Sequence, residues 1–400
     1  MDMRKLREDF PTLRRSDDVY LDSACQSLRP DSVIKAITDY YTEYPSCGDR
    51  SVHSMGSRVS LMEDNTRESL SKLFGTDNPD CYVFTKNTTE ALNTVAFGLG
   101  LESGDTVVTT DSEHNSNHVP WLVLSKEKGI RRRYVRTDAD GEFDMESFKD
   151  CLDGTVKAVS VHHSSNVTGC TMPVREICEM AHDIGAKVVI DGAQAAPHMK
   201  VDLEKIDPDF YCFSMHKMLG PSGMGIMYGK YEELEKLRPL TFGGGTVGRV
   251  TYENVTFASP PAKFESGLQN YSGIAGTGAA VEYLRKVGME NVEEQDRKLM
   301  RAIVSETKDI EGLEIVGPED PDRRGSVFSF NIKGLTPHDI ALTLDYMHVM
   351  IRSGMHCAHP YFEGKHTAGS ARASVYLYND KEDVKRFAEA LRTVADNYSV

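Results

Sequence analysis

From residue 81 to residue 228, short β-rich runs alternate with longer helical patterns, and this alternation constrains the fold more than any other feature of the chain. Residues 81–85 lead into 89–98, 106–110 into the segment around Trp121, and 156–161 into 174–183. Residues 187–190 lead into a short connection, and 210–213 into a turn before 223–228. Strands interleaved with helices predict a mostly parallel sheet covered on both faces, because each crossover lays a helix on the sheet. In such a sheet ligands bind beyond the carboxyl ends of the strands. The residues that follow each β-rich run are therefore where chemistry is to be sought.

A chain of 400 residues with 40% hydrophobic content can bury a large core and divide in two. A helical pattern over 273–287 and onward through 290–310 closes the large domain. Strand patterns at 327–332, 349–352 and 372–376, a helix after Pro337 and another over 383–397 then read as a smaller α+β layer. Asn379 followed by Glu382 has the spacing of a helix start for that last helix. The expected division is an N-terminal arm over 1–20 packing on the small domain, a large domain over 21–285 and a small domain over 286–400.

Acidic residues outnumber basic ones 61 to 46, for a net charge of −15, which argues against a nucleic-acid surface. The one basic run, Arg131-Arg132-Arg133, reads as a solvated turn after a helix. The start, MDMRKLREDF, has no apolar stretch after its charges, and no run of about 18 uncharged apolar residues exists, so no membrane association is expected and the location is expected to be cytoplasmic. Eight scattered cysteines without C-x-x-C spacing suit reduced thiols, most of them inert core residues.

Asp191 ends one apolar run, and Lys217 follows another in Ser214-Met215-His216-Lys217. A lysine and a carboxylate, each at the end of a parallel-type strand, are what a protein needs to hold pyridoxal 5'-phosphate: the lysine as Schiff-base former, the aspartate on the pyridinium nitrogen. Asn87 and Glu90 have capping-box spacing around Thr88 and Thr89, so the amides of a helix start would face a phosphate, and Ser214 and His216 could reach the same group. Gln194 is placed for the cofactor's phenolic oxygen and His114 for stacking on its ring. Cys357 lies among Gly, Pro and His residues in a loop, where a nearby imidazole would favour its thiolate. His356, Cys357, His359 and His366 match no standard zinc spacing, so no metal site is expected.

These segments resemble the fold-type I pyridoxal-phosphate enzymes of the class V aminotransferase group, and within it the group II, SUF-type cysteine desulfurases that include selenocysteine lyases. The resemblance runs through Val19-Tyr20-Leu21-Asp22-Ser23-Ala24, Thr88-Thr89-Glu90-Ala91, Glu113-His114-Asn115-Ser116-Asn117, Ser165-Asn166-Val167-Thr168-Gly169, Asp191-Gly192-Ala193-Gln194, His216-Lys217, Phe264-Glu265-Ser266-Gly267, Arg352-Ser353-Gly354-Met355-His356-Cys357 and Arg372-Ala373-Ser374. It implies Lys217 as base and proton carrier, Cys357 as the persulfide-forming nucleophile, Asn166 and Arg372 on the substrate carboxylate, and Arg352 and His53 at the entrance. It further implies a homodimer that converts L-cysteine to L-alanine and passes sulfur to an acceptor or scaffold protein of iron–sulfur cluster assembly. Selenocysteine lyase acting on L-selenocysteine, a carbon–sulfur lyase, an aminotransferase and an inactive assembly scaffold are the alternatives. Leu268 departs from a usual threonine that reaches the neighbouring subunit's phosphate, and Cys25 from a usual alanine. Met355 and His359 also differ from the commoner neighbours of the nucleophile.

Overall fold

Seven strands make the central sheet: β1 (Tyr82–Thr85), β2 (Thr106–Thr110), β3 (Arg131–Val135), β4 (Val156–His162), β5 (Lys187–Asp191), β6 (Phe210–Ser214) and β7 (Gly225–Gly229), in the spatial order β1-β7-β6-β5-β4-β2-β3. All neighbours run parallel except at β7, which is antiparallel to both β1 and β6. The computed structural model describes residues 3–48, 51–138 and 140–398; residues 1–2 and 399–400, the outer ends of the expected first and last segments, lie outside these. β2 and β6 are buried at every position, the consequence of apolar runs covered by helices on both faces. Among the described residues no helix is long and apolar enough to cross a membrane.

The basic run is not a turn. Arg131–Arg133 opens β3, the edge strand, where Arg131 donates to the Gly104 carbonyl at 2.6 Å and Arg133 pairs with Asp153 at 2.6 Å. Long cationic side chains are at home on a sheet edge, where they oppose pairing with another chain. The expected long helix over 273–310 is also two helices, Tyr271–Val287 and Met289–Thr307, broken at Gly288 with φ 85°. The first packs on helices Asp31–Glu43 and Ser54–Phe74, the second on Lys381–Tyr398. Gly288 lets the chain turn from one body of structure to the other, since that φ is open to glycine and costly for other residues.

A four-stranded antiparallel sheet forms the second layer: β8 (Leu313–Val316), β9 (Val327–Ile332), β10 (Arg352–Gly354) and β11 (Ser370–Ser374), ordered β8-β9-β11-β10. Its core joins Phe328, Phe330, Phe387 and Leu391 with Val19 and Leu21 from the start of the chain. Val19–Tyr20 pairs in parallel with Val349–Met350. Earlier still, Phe10 packs on Tyr378 with ring centroids 4.8 Å apart, and Arg7 pairs with Asp383 at 2.8 Å. The last helix starts at Lys381 and is capped by Asp380, whose Oδ1 accepts from the Glu382 and Asp383 amides. Asn379, the cap expected from its spacing, instead accepts from the Tyr376 amide and donates to the Tyr20 carbonyl, the second a long-range use that a local pattern does not encode.

Candidate active site

A cavity of about 250 Å³ opens at the carboxyl ends of β4, β5 and β6, facing β10 and β11. Every proposed site residue lines it except His53. His53 is exposed and caps helix Ser54–Phe74, its Nδ1 accepting from the Gly56 amide at 3.3 Å, so within this chain it does not shape the entrance. Ala24, Cys25, Ser116, His162 and His356 line the cavity as well.

The end of the cavity expected to take a phosphate is built by helix Thr88–Gly98. Asn87 is extended and accepts from the Glu90 amide at 2.9 Å, and Glu90 accepts from the Lys86 amide at 2.6 Å, a capping-box-like exchange shifted to the residue before the cap. Ser214, the last residue of β6, accepts from the Thr88 amide at 2.8 Å and lies 2.6 Å from its hydroxyl; Thr89 and Ser116 hydroxyls meet at 2.7 Å. Gly225 at the start of β7 is needed here, because a Cβ would lie 2.5 Å from the Asn87 backbone. His216 follows Ser214, and burial, aided by Lys217 and Arg29, pushes its pKa down to about 4, so it is neutral near pH 7.

Asp191 is buried at the end of β5 and accepts from the Ala193 amide at 3.0 Å. Burial raises its pKa while that bond and the Lys217 charge oppose the rise; burial likewise lowers the pKa of Lys217, opposed by Asp191. The lysine is thereby brought closer to its reactive, neutral form. Gln194 donates Nε2 to the Ala24 carbonyl at 2.9 Å, leaving Oε1 buried and unpartnered. His114 accepts through Nδ1 from the Ser116 amide at 3.1 Å, and burial plus the cations Lys217 and Arg372 push its pKa down to about 3. Its imidazole is neutral with the proton on Nε2.

Behind this floor lies a buried pair that motif reading missed. Glu113 accepts from Thr110 Oγ1 and Asn117 Nδ2 at 2.7 Å each and from the His162 amide at 3.1 Å, and its Oε1 lies 3.1 Å from His162 Nδ1. Burial raises the carboxyl's pKa, yet His162 and these bonds outweigh it and hold Glu113 below its ordinary range; burial lowers His162, yet Glu113 holds it above. Each thus favours the charged form of the other. His162 stands beside Asp191 in the β4–β5 register, and its Nε2 has no partner. The only local signal was a histidine ending a strand next to the strand of Asp191.

On the small-sheet side of the cavity Arg372, buried on β11, donates Nη1 to the Asn166 carbonyl at 2.9 Å and lies 3.5 Å from Asp22, with Nε unpartnered. Asn166 donates to the His356 carbonyl at 2.7 Å. Cys357 is exposed, and its carbonyl accepts from the Asn115 amide at 2.6 Å. His356 and Cys357 both sit in the left-handed region, φ 47° and 56°, a strained arrangement for non-glycine residues. Each flanking imidazole has a partner of its own. His356 Nε2 lies 2.9 Å from the Ser370 carbonyl with its pKa pushed down to about 3 by burial and Arg372, and His359 Nδ1 lies 2.9 Å from Asn115 Nδ2. Of the eight cysteines, Cys81, Cys170, Cys178 and Cys212 are buried.

The aminotransferase class-V family matches residues 19–387. A cysteine desulfurase of Haloferax volcanii is 39% identical, covering 98% of this chain and 96% of its own. A probable cysteine desulfurase of Halalkalibacterium halodurans is 37% identical over 100% of this chain and 99% of its own. Among solved structures, the apo cysteine desulfurase of Thermococcus onnurineus superposes with a TM-score of 0.94 at 34% identity, covering 98% of each chain. An Escherichia coli cysteine desulfurase gives 0.93 at 30% identity, covering 100% of this chain and 99% of its own. The chain belongs to the class V aminotransferase family of pyridoxal-phosphate enzymes, among its cysteine desulfurases.

Proposed function

We propose that this protein removes sulfur from L-cysteine, leaving L-alanine and a persulfide on Cys357. The observation that carries the reading is that a lysine depressed by burial, a buried arginine and an exposed loop cysteine face one cavity. The residues present fit pyridoxal phosphate: a capped helix start for the phosphate, Asp191 for the ring nitrogen, and unpartnered buried polar atoms on Gln194, His162 and Arg372 at the walls. Thr88, Thr89, Ser214 and His216 would hold the phosphate, His114 would lie on the ring, and the remaining N–H of Gln194 would meet the phenolic oxygen. Bound there, the cofactor would supply an electron sink for the α-carbon of the amino acid.

The protein does the rest. Arg372 and Asn166 hold the substrate carboxylate, and Lys217 Nζ takes the Cα proton. Cys357 Sγ forms a bond to the substrate sulfur as the Cβ–S bond breaks, the electron pair staying with carbon, which gains a proton and ends as alanine. Arg352 stands at the entrance, held by Asp22 at 3.3 Å.

In this reading the protein works as a cytoplasmic homodimer that hands sulfur to an acceptor protein of iron–sulfur assembly. Support for the dimer comes from large apolar side chains left in solvent, among them Val52 at 93%, Leu268 at 76% and Leu61 at 60% exposure. The test is to incubate the holoenzyme with L-cysteine and count alanine and sulfide, beside Cys357→Ser. Wild type should form alanine, the sulfur passing through Cys357. The variant should lose alanine formation by orders of magnitude, and alanine formed equally by both would end this assignment.

A further inference from the structure

Two thiols, Cys25 and Cys357, line the one cavity from opposite ends of the chain. Cys25 sits in the turn after Asp22, its amide donating to the Asp22 carbonyl at 3.1 Å. Asp22 also holds Arg352 at 3.3 Å and Arg372 at 3.5 Å, so one carboxylate ties the Cys25 turn to both β10 and β11. Arg352 begins the segment that leads to Cys357. Lys217 and Arg352 line the same cavity as both thiols. The other six cysteines lie outside the cavity. Cys357 is exposed on a short loop between β10 and helix His359–Gly364, outside both sheets.

Resting on the desulfurase reading above, we propose that Cys25 is a resolving thiol that discharges the persulfide on Cys357. Cys25 thiolate attacks Cys357 Sγ, forming a Cys25–Cys357 disulfide. The bond from Cys357 Sγ to the terminal sulfur breaks, and that sulfur leaves with the electron pair and its proton as hydrosulfide. The sulfane sulfur is reduced by two electrons, which the two cysteine thiols lose in forming the disulfide, so no outside oxidant enters. A small dithiol reductant then returns both cysteines to thiols for the next turnover. The enzyme thereby has a route to free sulfide beside transfer to a protein acceptor.

The test gives holoenzyme one equivalent of L-cysteine without reductant, then measures sulfide per alanine and maps peptides by mass spectrometry under non-reducing conditions. Wild type should release a sulfide for each alanine and yield a Cys25–Cys357 linked peptide. In Cys25→Ala the sulfur of each alanine formed should stay on Cys357 until a dithiol is added; Cys25→Ser serves if the alanine variant does not fold. Wild type that keeps its persulfide without a linked peptide, or a variant with the same sulfide per alanine, overturns the proposal. A second arm loads Cys357 with inorganic polysulfide in place of L-cysteine. Loss of alanine formation with the linked peptide still formed in this arm defeats the desulfurase reading alone, whereas no linked peptide in either arm defeats the resolving role.

Discussion

Asn166 donates its side-chain amide to the His356 carbonyl at 2.7 Å, tying a loop of the large sheet to the strained turn that presents Cys357. Removing that donor leaves a buried carbonyl unsatisfied. Asn166→Ala should therefore lower stability by about 1–3 kcal/mol in urea unfolding, because the turn no longer has its anchor, and slow alanine formation, because the substrate carboxylate also loses a partner. Unchanged stability together with unchanged turnover would show that the loop is held by its other contacts alone.

Lys217→Ala should abolish covalent attachment of the cofactor while the phosphate cradle and Asp191 still retain it noncovalently. The measurement is borohydride reduction followed by intact mass. Wild type should keep the cofactor's added mass and the variant should not, with alanine formation lost; normal turnover in the variant would mean that another group moves the Cα proton.

The Glu113–His162 pair makes stability depend on pH. The His162 pKa is raised on folding, so its contribution is fully present below the unfolded value near 6.5 and is lost as pH rises through the folded value. Glu113 is depressed, so its contribution is present above the unfolded value near 4.3 and lost as pH falls through the folded one. His162→Gln strands a buried carboxylate and should cost about 3–5 kcal/mol near pH 6. The gap between wild type and variant in urea titrations should narrow as pH climbs above 6.5, and a gap that widens there would refute the charged pair.

Arg372→Lys keeps a charge but loses the planar fork that can meet a carboxylate with two bonds. A charge-assisted hydrogen bond contributes about 1.5–3 kcal/mol, so KM for L-cysteine should rise roughly ten- to hundredfold, more than kcat falls. Steady-state kinetics decide this. An unaltered KM would move the carboxylate to another partner.

The sequence by itself determined what depends on neighbours a few residues apart: the strand–helix alternation, the Asn87–Glu90 cap, and Asp191 and Lys217 at strand ends. Cap spacing and apolar period are local signals, and a parallel sheet puts every strand end at one side. The misreadings have the same cause. Arg131–Arg133 became a strand because β2 offered it an edge, and Asn379 was drawn from its expected cap by the Tyr20 carbonyl. Only the tertiary structure decided that Glu113 would pair with His162, that His53 would stand apart, and that Asp22 would bring Cys25 to the cavity of Cys357. Those partners are fixed by sheet register and by docking of the two layers, which depend on how the whole core packs and leave no periodic trace in the chain.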